Sequence, residues 1–433
     1  MYYSYTPRYD EVDYLYQKYL KEYPQTTLNF FLDVKNGISG DTSFVDGMRV
    51  NSITYENKGQ HLVELVTAII NVVAFIKSRL LEISNNDSNL IDNRVRFFFF
   101  CEVGKSSYHR AIDMAYKRNR GINDVLNRES IEVDLRGDIV FNAIQILNSI
   151  MNMIPSCYFY MGEYAEYDFI PYVIAKRYFK EYDYGVVFSS DKDMYQLQSY
   201  FPYKFEQLEK LTSKASSNIT WHPGRMYVDS NNYVIRFLHS LYGKEGFTLS
   251  DEDKTWIENN WSLFRAFMGD SGDGVSGIKG MGLSTMMKSL KTIKSISLPR
   301  EEYNHNVAHI DFRLFDYKNN NSIFDMDKVK ELFKLPIMKN GKEGKCKLSK
   351  VLQEALSLKG IDRICKNLAL MDYEIMYERR KHKEWEAFDS VFNNNNKFKN
   401  ELDTVKFLDK TGLWKQYGMY KPKIFLNNLK GIA

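Results

Sequence analysis

The sequence YGVVFSSDKDMYQL, residues 184–197, places two aspartates just behind a short apolar run. A run of this length, bounded by polar residues, is typical of a strand buried inside a parallel sheet. Asp191 and Asp193 are two residues apart, so in an extended segment their side chains point the same way. Ligands of parallel α/β sheets bind beyond the carboxyl ends of the strands. The stretch therefore predicts both a fold class and the edge of the sheet that carries its site.

Two other apolar runs have the same form. LNFFL, at 28–32, is followed by Asp33, and RFFFFC, at 96–101, is followed by Glu102. Helical patterns cover 61–83, 137–154 and 168–182. Alternating strands and helices predict an α/β domain with a mostly parallel sheet. Beyond residue 230 the apolar spacing is helical, and polar segments at 318–322, 339–347 and 393–396 are typical of loops.

The composition is that of a globular protein with room for an extensive core. Of the 433 residues, 44% are apolar and 26% are charged, and the formal net charge is only +4. No overall basic field therefore indicates a nucleic-acid partner, although a local one remains compatible with these totals. The four cysteines are far apart and form no CxxC pair. Reduced thiols in a cytosol-like compartment are expected, and a zinc site is not.

The most apolar segment, 62–83, is predicted to be a core helix. It contains Glu64, Asn71, Lys77 and Arg79, which interrupt the span of about 20 apolar residues that a membrane helix requires. The first residues show no basic start followed by an apolar run, so no signal peptide is expected. A soluble, cytoplasmic protein is the resulting expectation, in the host cytoplasm if the chain is viral.

Carboxylates at the predicted strand ends indicate a metal site. Glu166 and Asp168 add a further pair where a helix begins, although acids there also act as helix caps. Any one of these acids alone is more commonly a solvated loop residue. Several carboxylates at one edge repel each other and stay ionised only if cations neutralise them. Oxygen ligands without nearby His or Cys favour Mg²⁺ or Mn²⁺.

Basic residues follow the second strand end, in VGKSSYHRAIDMAYKRNRG at 103–121. A basic stretch is usually a solvated helix face, but here it lies where a metal-bound phosphate would need more positive charge. Tyr116, beside Lys117, offers a ring that could stack on a base. Farther on, FMGDSGDGVSGIKGMGLSTMMKSL, at 267–290, joins Asp270 and Asp273 to a glycine-rich turn. Glycines in such a turn let backbone amides approach a phosphate.

Taken in order, these motifs resemble the 5′ nuclease superfamily of flap endonucleases and 5′→3′ exonucleases, nearest to its stand-alone bacteriophage members. FFLDVKNG is similar to the first-strand motif, FFCEVGKSSYHR with YKRNR to the second, EYD to the third and SSDKDMYQL to the fourth. MGDSGDGVSGIKGMG matches the glycine-rich motif almost position for position. Glu102 stands where the family has Asp. The third motif has one acid fewer than usual, and another register would include Glu163. The long spacing before Asp270 predicts an insertion within 200–255.

The resemblance implies a PIN-like, mostly parallel sheet flanked by helices, with a helical arch, a helix–three-turn–helix motif and a helical C-terminal region. The implied divisions are an N-terminal extension at 1–27, an α/β nuclease domain at 28–225 with its arch at about 105–160, a helix–three-turn–helix region at 226–300, and a mainly helical extension at 301–433. The implied activity is structure-specific hydrolysis of phosphodiester bonds near 5′ ends and flaps, in DNA replication and repair, with two metal ions about 4 Å apart.

Residue roles follow from the same resemblance. The implied metal ligands are Asp33, Glu102, Glu166, Asp168, Asp191, Asp193, Asp270 and Asp273. Lys117 and Arg120 would contact the scissile phosphate with support from Arg110, and Tyr116 would stack on a terminal base. The implied DNA-binding residues of the turn and its helix are Gly277, Lys279, Gly280, Gly282, Lys288 and Lys291.

The resemblance also implies cofactors and partners. Two Mg²⁺ ions are expected, replaceable by Mn²⁺, with a K⁺ ion in the glycine-rich turn. DNA with a 5′ flap, nick or free 5′ end is the expected substrate, and an RNA–DNA hybrid is a further candidate. A monomer without membrane contact is expected, with replication proteins as candidate partners of the C-terminal region. Two alternatives stay open: an inactive DNA-binding scaffold, and a PIN-type ribonuclease, which the glycine-rich segment at 269–282 disfavours.

Overall fold

The computed structural model describes most of the chain up to residue 393. The described residues are 2–3, 7–34, 38–39, 55–102, 106–114, 116, 131–162, 167–189, 191–202, 204–208, 211–212, 219–220, 250–312, 323–334, 336–339, 342–346, 348–380 and 382–393. Lys117, Arg120, Glu163 and Glu166 therefore lie outside the described residues, as does the predicted insertion except for its outer parts.

Strands and helices alternate in the first half, and helices dominate the second. The strands are β1 Tyr2–Tyr3, β2 Thr27–Asp33, β3 Ile38–Ser39, β4 Val95–Glu102, β5 Cys157–Gly162, β6 Asp183–Phe188, β7 Phe205–Leu208, β8 Leu211–Thr212, β9 Ile219–Thr220, β10 Gly269–Asp270, β11 Val275–Ser276, β12 Pro336–Lys339 and β13 Lys342–Cys346. The helices are α1 Tyr9–Leu15, α2 Lys58–Ile83, α3 Ser88–Arg94, α4 Ser107–Ile112, α5 Ile131–Met151, α6 Ile170–Tyr178, α7 Gln196–Tyr200, α8 Asp251–Asn259, α9 Trp261–Met268, α10 Leu283–Ile296, α11 Arg300–Ala308, α12 Met326–Lys334, α13 Lys350–Ala355, α14 Leu358–Met371, α15 Tyr373–Arg379 and α16 His382–Phe392. A π-helical turn, Tyr16–Lys21, extends α1, and short 3₁₀ turns lie at Tyr167–Phe169 and Lys192–Tyr195.

The main sheet has five parallel strands in the order β5-β4-β2-β6-β7. Along the chain this is third, second, first, fourth and fifth, so the direction of winding reverses between β2 and β6. Leu32 lies opposite Phe188, and Asp33 lies opposite Phe100. In an open α/β sheet, a reversal of this kind opens a crevice at the carboxyl ends of the strands. The α/β class with a mostly parallel sheet flanked by helices is confirmed.

Alternating side chains of the sheet serve two separate cores. Phe30 and Phe97 face one core with α1, α2 and α5, whereas Phe31 and Phe98 face the other with α6 and α16. In α2, apolar residues three and four apart form a buried stripe against the first face. By length and composition, α2 is the one described helix that could cross a membrane, and 50% of its most apolar 18-residue window is buried in the protein.

Segments from different predicted divisions of the chain contribute to shared cores. The predicted N-terminal extension is part of the first core, through Val12, Leu15 and Leu20. Helix α5, which falls within the stretch of about 105–160 predicted as the arch, is buried against α2 and the sheet. The C-terminal extension returns to the sheet, where α16 covers the second face. The segment 339–347, predicted as a loop, contributes to the antiparallel pair β12–β13.

A third core joins the helices of the second half. It contains buried residues of α8 to α14, including the fully buried Tyr303 and Phe267. Helix α14 is central to this core, because it contacts α9, α13, α15 and α4. The elements that carry Asp270 and the glycine-rich turn are therefore supported from behind by a packed helical layer.

Candidate metal and nucleic-acid site

The carboxyl edge of the sheet brings Asp33 and Asp191 together through one serine. Asp33 is the last residue of β2 and is 1% exposed, and Ser189 directly follows β6. The Ser189 hydroxyl donates to Asp33 Oδ2 at 2.9 Å and accepts the Asp191 N–H at 3.1 Å. Because β2 and β6 are the strands between which the winding reverses, both aspartates lie at the expected ligand crevice.

The loop after β6 is fixed by its own hydrogen bonds. Asp191 caps the 3₁₀ turn Lys192–Tyr195, since its Oδ1 accepts the Asp193 N–H at 2.9 Å. From the edge strand β7, Gln207 Nε2 donates to the carbonyl oxygens of Ser189 at 2.8 Å and Asp191 at 3.0 Å. This local order sets the positions of both aspartates before any ligand binds.

Arg265 connects this edge to the helical half. Its guanidinium, on α9, pairs with both Asp193 and Asp270, and the arginine itself is 4% exposed. Asp270 is 8% exposed, and its Oδ1 also accepts the Gly272 N–H at 2.9 Å. A continuous series of polar contacts therefore runs from Asp33 to Asp270. Buried ions require such partners, because desolvation of an unpaired charge is costly.

Sequence reasoning missed Arg265, although the sequence contains a signal for it. In α9, WSLFRAFM, it is the one charged residue, and its neighbours on every side of the helix are buried. A lone charge in a buried helix needs a partner of opposite sign. Asp270, five residues later, was already a predicted site residue.

The remaining predicted ligands lie at the same edge or outside the described residues. Glu102 ends β4, next to β2, and the position of its side chain is not described. Asp168 is in the 3₁₀ turn Tyr167–Phe169, which packs against β4 and against the turn that contains Asp193. Asp273 is half-buried between β10 and β11. Glu166 is the predicted ligand that lies outside the described residues.

The donor set fits a hard divalent cation. Asp33 and Asp191 supply carboxylate oxygens at the carboxyl edge, which is the ligand type that Mg²⁺ and Mn²⁺ prefer. Asp193 and Asp270 offer the same atoms but share the Arg265 guanidinium. The edge can thus hold a metal ion at Asp33 and Asp191, while the Arg265 guanidinium balances the charges of Asp193 and Asp270.

The glycine-rich turn lies directly beyond Asp270. Gly277 passes so close to α9 that an added Cβ would be 2.0 Å from the Met268 carbonyl oxygen. Gly269 and Gly280 have φ values of +75° and +82°, which favour glycine. Asn367 Nδ2, from α14, donates to the carbonyl oxygens of Ser276 at 3.1 Å and Ala266 at 2.7 Å. The turn between α9 and α10 is therefore tightly built.

One face of this turn and of α10 is basic. Lys279, Lys288 and Lys291 are exposed, while Ile278 and Leu290 are buried beneath them. Gly282 is the N-cap residue of α10, so the first backbone amides of that helix follow the turn. A helix N-terminus beside lysines is suited to a phosphate group.

Helix α4 is docked on the helical layer. His109 is fully buried, with Nδ1 at 2.6 Å from Ser106 Oγ and Nε2 at 3.1 Å from the Leu370 carbonyl oxygen. Arg110 is exposed on the same helix. Tyr116 is 5% exposed and its ring stacks on His109, with centroids 4.5 Å apart. Stacking of Tyr116 on a terminal base would require this ring to leave its packed position. Lys117 and Arg120 lie outside the described residues.

Comparison with known proteins gives structural neighbours. No protein-family model matches the chain, and no curated protein matches its sequence. The T5 D15 protein co-crystallised with metal ions has a TM-score of 0.44 and 15% identity, over 84% of this chain and 96% of that chain. T5 5′-exonuclease with zinc ions bound has a TM-score of 0.45 and 14% identity, over 84% and 98%. A bacteriophage T5 flap endonuclease complex with DNA and metal ions has a TM-score of 0.41 and 13% identity, over 90% and 99%.

These neighbours are of the class that the sequence motifs resemble. Because the identities and TM-scores are low, function is inferred from the site residues of this chain.

Proposed function

We propose that the protein is a divalent-metal-dependent 5′ nuclease that hydrolyses phosphodiester bonds near the 5′ ends or flaps of DNA. The observation that carries this proposal is the polar series from Asp33 through Ser189, Asp191 and Asp193 to Asp270. It joins acids from three separated segments at the carboxyl edge of a parallel sheet. An acidic crevice of this kind needs cations, and an anionic backbone reaches it only when they are bound.

Asp33 and Asp191 are proposed to hold the first Mg²⁺, with Glu102 and Asp168 reaching the same space from neighbouring segments. Mg²⁺ bound there would supply a water of lowered pKa and neutralise charge on the phosphodiester. Ser189 orients Asp33, and Gln207 holds the loop that carries Asp191. Mn²⁺ should substitute, since it accepts the same oxygen ligands.

Asp193, Asp270, Asp273 and Glu166 are proposed to complete a second cation position. In this chain Arg265 holds Asp193 and Asp270 in place and reduces their mutual repulsion. A second Mg²⁺ would share these carboxylates with the guanidinium, so it should bind more weakly than the first. This order of affinity depends on the pairing of Arg265 with the two carboxylates.

The phosphate ester needs positive charge in addition to the metal ions. Lys117 and Arg120 are proposed to neutralise the transition state, with Arg110 in a supporting role. Two observations support this proposal. These basic residues follow Glu102, at the end of β4, in the sequence, and Arg110 is exposed on α4. Lys117→Ala should therefore lower turnover strongly with little loss of DNA affinity. An equal loss of affinity would instead make Lys117 a phosphate anchor.

Duplex DNA is proposed to bind at the glycine-rich turn. The amides at Gly277, Gly280 and Gly282 and the exposed Lys279, Lys288 and Lys291 would contact backbone phosphates without reading sequence. A K⁺ ion held by carbonyls of the turn is part of this proposal. Because the turn follows Asp270 directly, it would set the distance from the bound duplex to the cut. RNA–DNA hybrid cleavage, a monomeric state and replication partners remain further expectations from the resemblance.

A catalytically inactive DNA-binding scaffold is the second candidate. The observation that favours it is the ion pairing of Arg265 with Asp193 and Asp270, which supplies charge balance without metal. The two candidates differ in the fate of the substrate. End-labelled 5′-flap, nicked and RNA–DNA duplexes should be cleaved with Mg²⁺ or Mn²⁺ if the enzyme proposal is correct. Tight binding without cleavage in both metals would favour the scaffold.

A further inference from the structure

Two histidines and a glutamate meet on the surface of the helical half, away from the carboxyl edge of the sheet. His305 lies in the last turn of α11, His309 follows that helix, and Glu378 lies in α15. A ligand atom from each lies within 4.8 Å of the others, and all three residues are exposed. Residues four apart on a helix share a face, and the two imidazole centroids are 4.4 Å apart.

The tautomer of His309 is fixed by the backbone. Its Nδ1 lies 2.8 Å from the carbonyl oxygen of His305. A carbonyl oxygen only accepts, so Nδ1 carries the proton and Nε2 presents its lone pair. This arrangement is the usual way in which proteins orient a metal-binding imidazole.

The position of Glu378 opposite the histidines is also fixed. The neighbouring Arg379 donates from Nη1 to the carbonyl oxygens of Val307, Ala308 and Ile310 at 3.1, 3.1 and 2.8 Å. These contacts clamp the end of α15 onto the end of α11. The two helix ends that carry the histidines and Glu378 are therefore held together by contacts outside the cluster.

We propose that His305, His309 and Glu378 form a Zn²⁺ site. Two imidazole nitrogens and one carboxylate oxygen, with water completing a tetrahedron, are a ligand set that zinc accepts and Mg²⁺ does not favour. The partial negative charge at the carboxyl end of α11 adds to the attraction. Zinc here would tie α11 to α15. This site differs chemically from the all-oxygen crevice at the sheet edge. It contains no cysteine, so the cysteine spacing, from which no zinc site was expected, does not exclude it.

A Zn²⁺ ion between α11 and α15 would have a structural consequence for the helical half. Asn304 of α11 donates to the Tyr200 hydroxyl at 2.8 Å, and Tyr200 donates to Asp372, the N-cap residue of α15, at 2.7 Å. Helix α15 is thus joined to α11 at its N-terminal end by this network and near its C-terminal end by the proposed ion. Zinc should accordingly raise the thermal stability of the protein without taking part in its chemistry.

Calorimetric titration of the full chain with ZnCl₂ tests the proposal, with excess Mg²⁺ present to compete for the all-oxygen crevice. The wild type should bind one Zn²⁺, and His305→Gln/His309→Gln should bind it at least about tenfold more weakly. Glu378→Gln should also weaken binding, whereas Glu302→Gln, an exposed glutamate on α11, should not. Co²⁺ in place of Zn²⁺ should give the visible absorption of a tetrahedral site in the wild type and in Glu302→Gln, but not in the double variant.

Thermal unfolding of the same variants separates binding from folding. The double variant should unfold at the temperature of the chelator-treated wild type. Added ZnCl₂ should raise the midpoint of the wild type and of Glu302→Gln, but not that of the double variant. No Zn²⁺ binding by a folded wild type would overturn the proposal. Equal Zn²⁺ affinity in the wild type and the double variant would overturn it as well, since the ion would then bind elsewhere.

Discussion

At the scale of single residues, Arg265 determines how the acidic crevice is balanced. Arg265→Met leaves Asp193 and Asp270 without their internal cation, and removing one partner of a buried ion pair costs about 3–5 kcal/mol. We expect a loss of this size in metal-free urea unfolding, partly recovered by excess Mg²⁺, which should bind these two carboxylates in place of the guanidinium. Arg110→Met, at an exposed arginine, should change stability by less than about 0.5 kcal/mol. A loss that Mg²⁺ does not relieve would contradict a shared cation position.

Two glycines of the basic turn make a matched pair. A Cβ at Gly277 would be 2.0 Å from the Met268 carbonyl oxygen, whereas nothing lies within 4 Å of a Cβ at Gly282. Gly277→Ala should lower the free energy of unfolding by about 2 kcal/mol or more, because backbone must shift to admit the methyl group. Gly282→Ala should cost less than about 1 kcal/mol, through the weaker N-cap that alanine gives α10. Equal melting temperatures for the two variants would contradict the close approach of the turn to α9.

At the scale of elements, α16 should be essential to the second face of the sheet. Phe388 is 4% exposed and stacks on Tyr160 of β5, with ring centroids 4.6 Å apart. Phe388→Ala should cost about 3–5 kcal/mol in urea unfolding. The control is Phe141→Ala on α5, where the ring is 50% exposed, and it should be nearly neutral. A small effect at Phe388 would mean that residues beyond α15 are not part of the α/β core.

The edge strand β7 should give the stability a specific pH dependence. Burial raises the pKa of Glu206 above its usual 4.5, with Lys18 acting in the opposite direction and Tyr19 and Tyr184 also facing it. An acid with a raised folded-state pKa contributes stability that is fully present below about pH 4.5 and is lost as the pH rises through that pKa. In Glu206→Gln, the free energy of unfolding should no longer fall with pH in this range. In Glu22→Gln, an exposed control, it should fall as in the wild type. Parallel profiles for the wild type and Glu206→Gln would show that the pKa is not raised.

Elements with strong apolar patterns were predictable, and those that depend on distant partners were not. Strands β2, β4 and β6 and helix α2 follow from their apolar runs. The edge strand β7, FEQL, carries two polar residues that are buried because Lys18, Tyr19 and the loop after β6 bind them. No local pattern contains those partners. The segment 339–347 is a different case. It is charged and contains glycine, so it was predicted as a loop, but it contributes to the pair β12–β13. Its Asn-Gly step is a common hairpin signal that would have predicted this pair.

At the scale of the whole molecule, the candidate site is built from both halves of the chain. The strand ends predicted the places of Asp33 and Asp191, because parallel strands deliver their carboxyl ends to one edge. The roles of Ser189, Gln207 and Arg265 could not be predicted from the sequence. Each depends on contacts with residues that are distant along the chain or lie in a loop. Arg265 joins the α/β domain to the layer that carries the basic turn, so the acidic crevice and the proposed DNA-binding surface should be coupled.

The central claim is that the acids at this edge hold the cations that cut DNA. The most direct test is single-turnover cleavage of a 5′-labelled flap by the wild type, Asp191→Asn and Asp138→Asn, with Mg²⁺ present or chelated. Asp138 is an exposed acid on α5, outside the site. The account predicts Mg²⁺-dependent cleavage by the wild type and Asp138→Asn, and intact substrate with Asp191→Asn despite unchanged DNA affinity. Intact substrate with the wild type, or undiminished cleavage by Asp191→Asn, would contradict it.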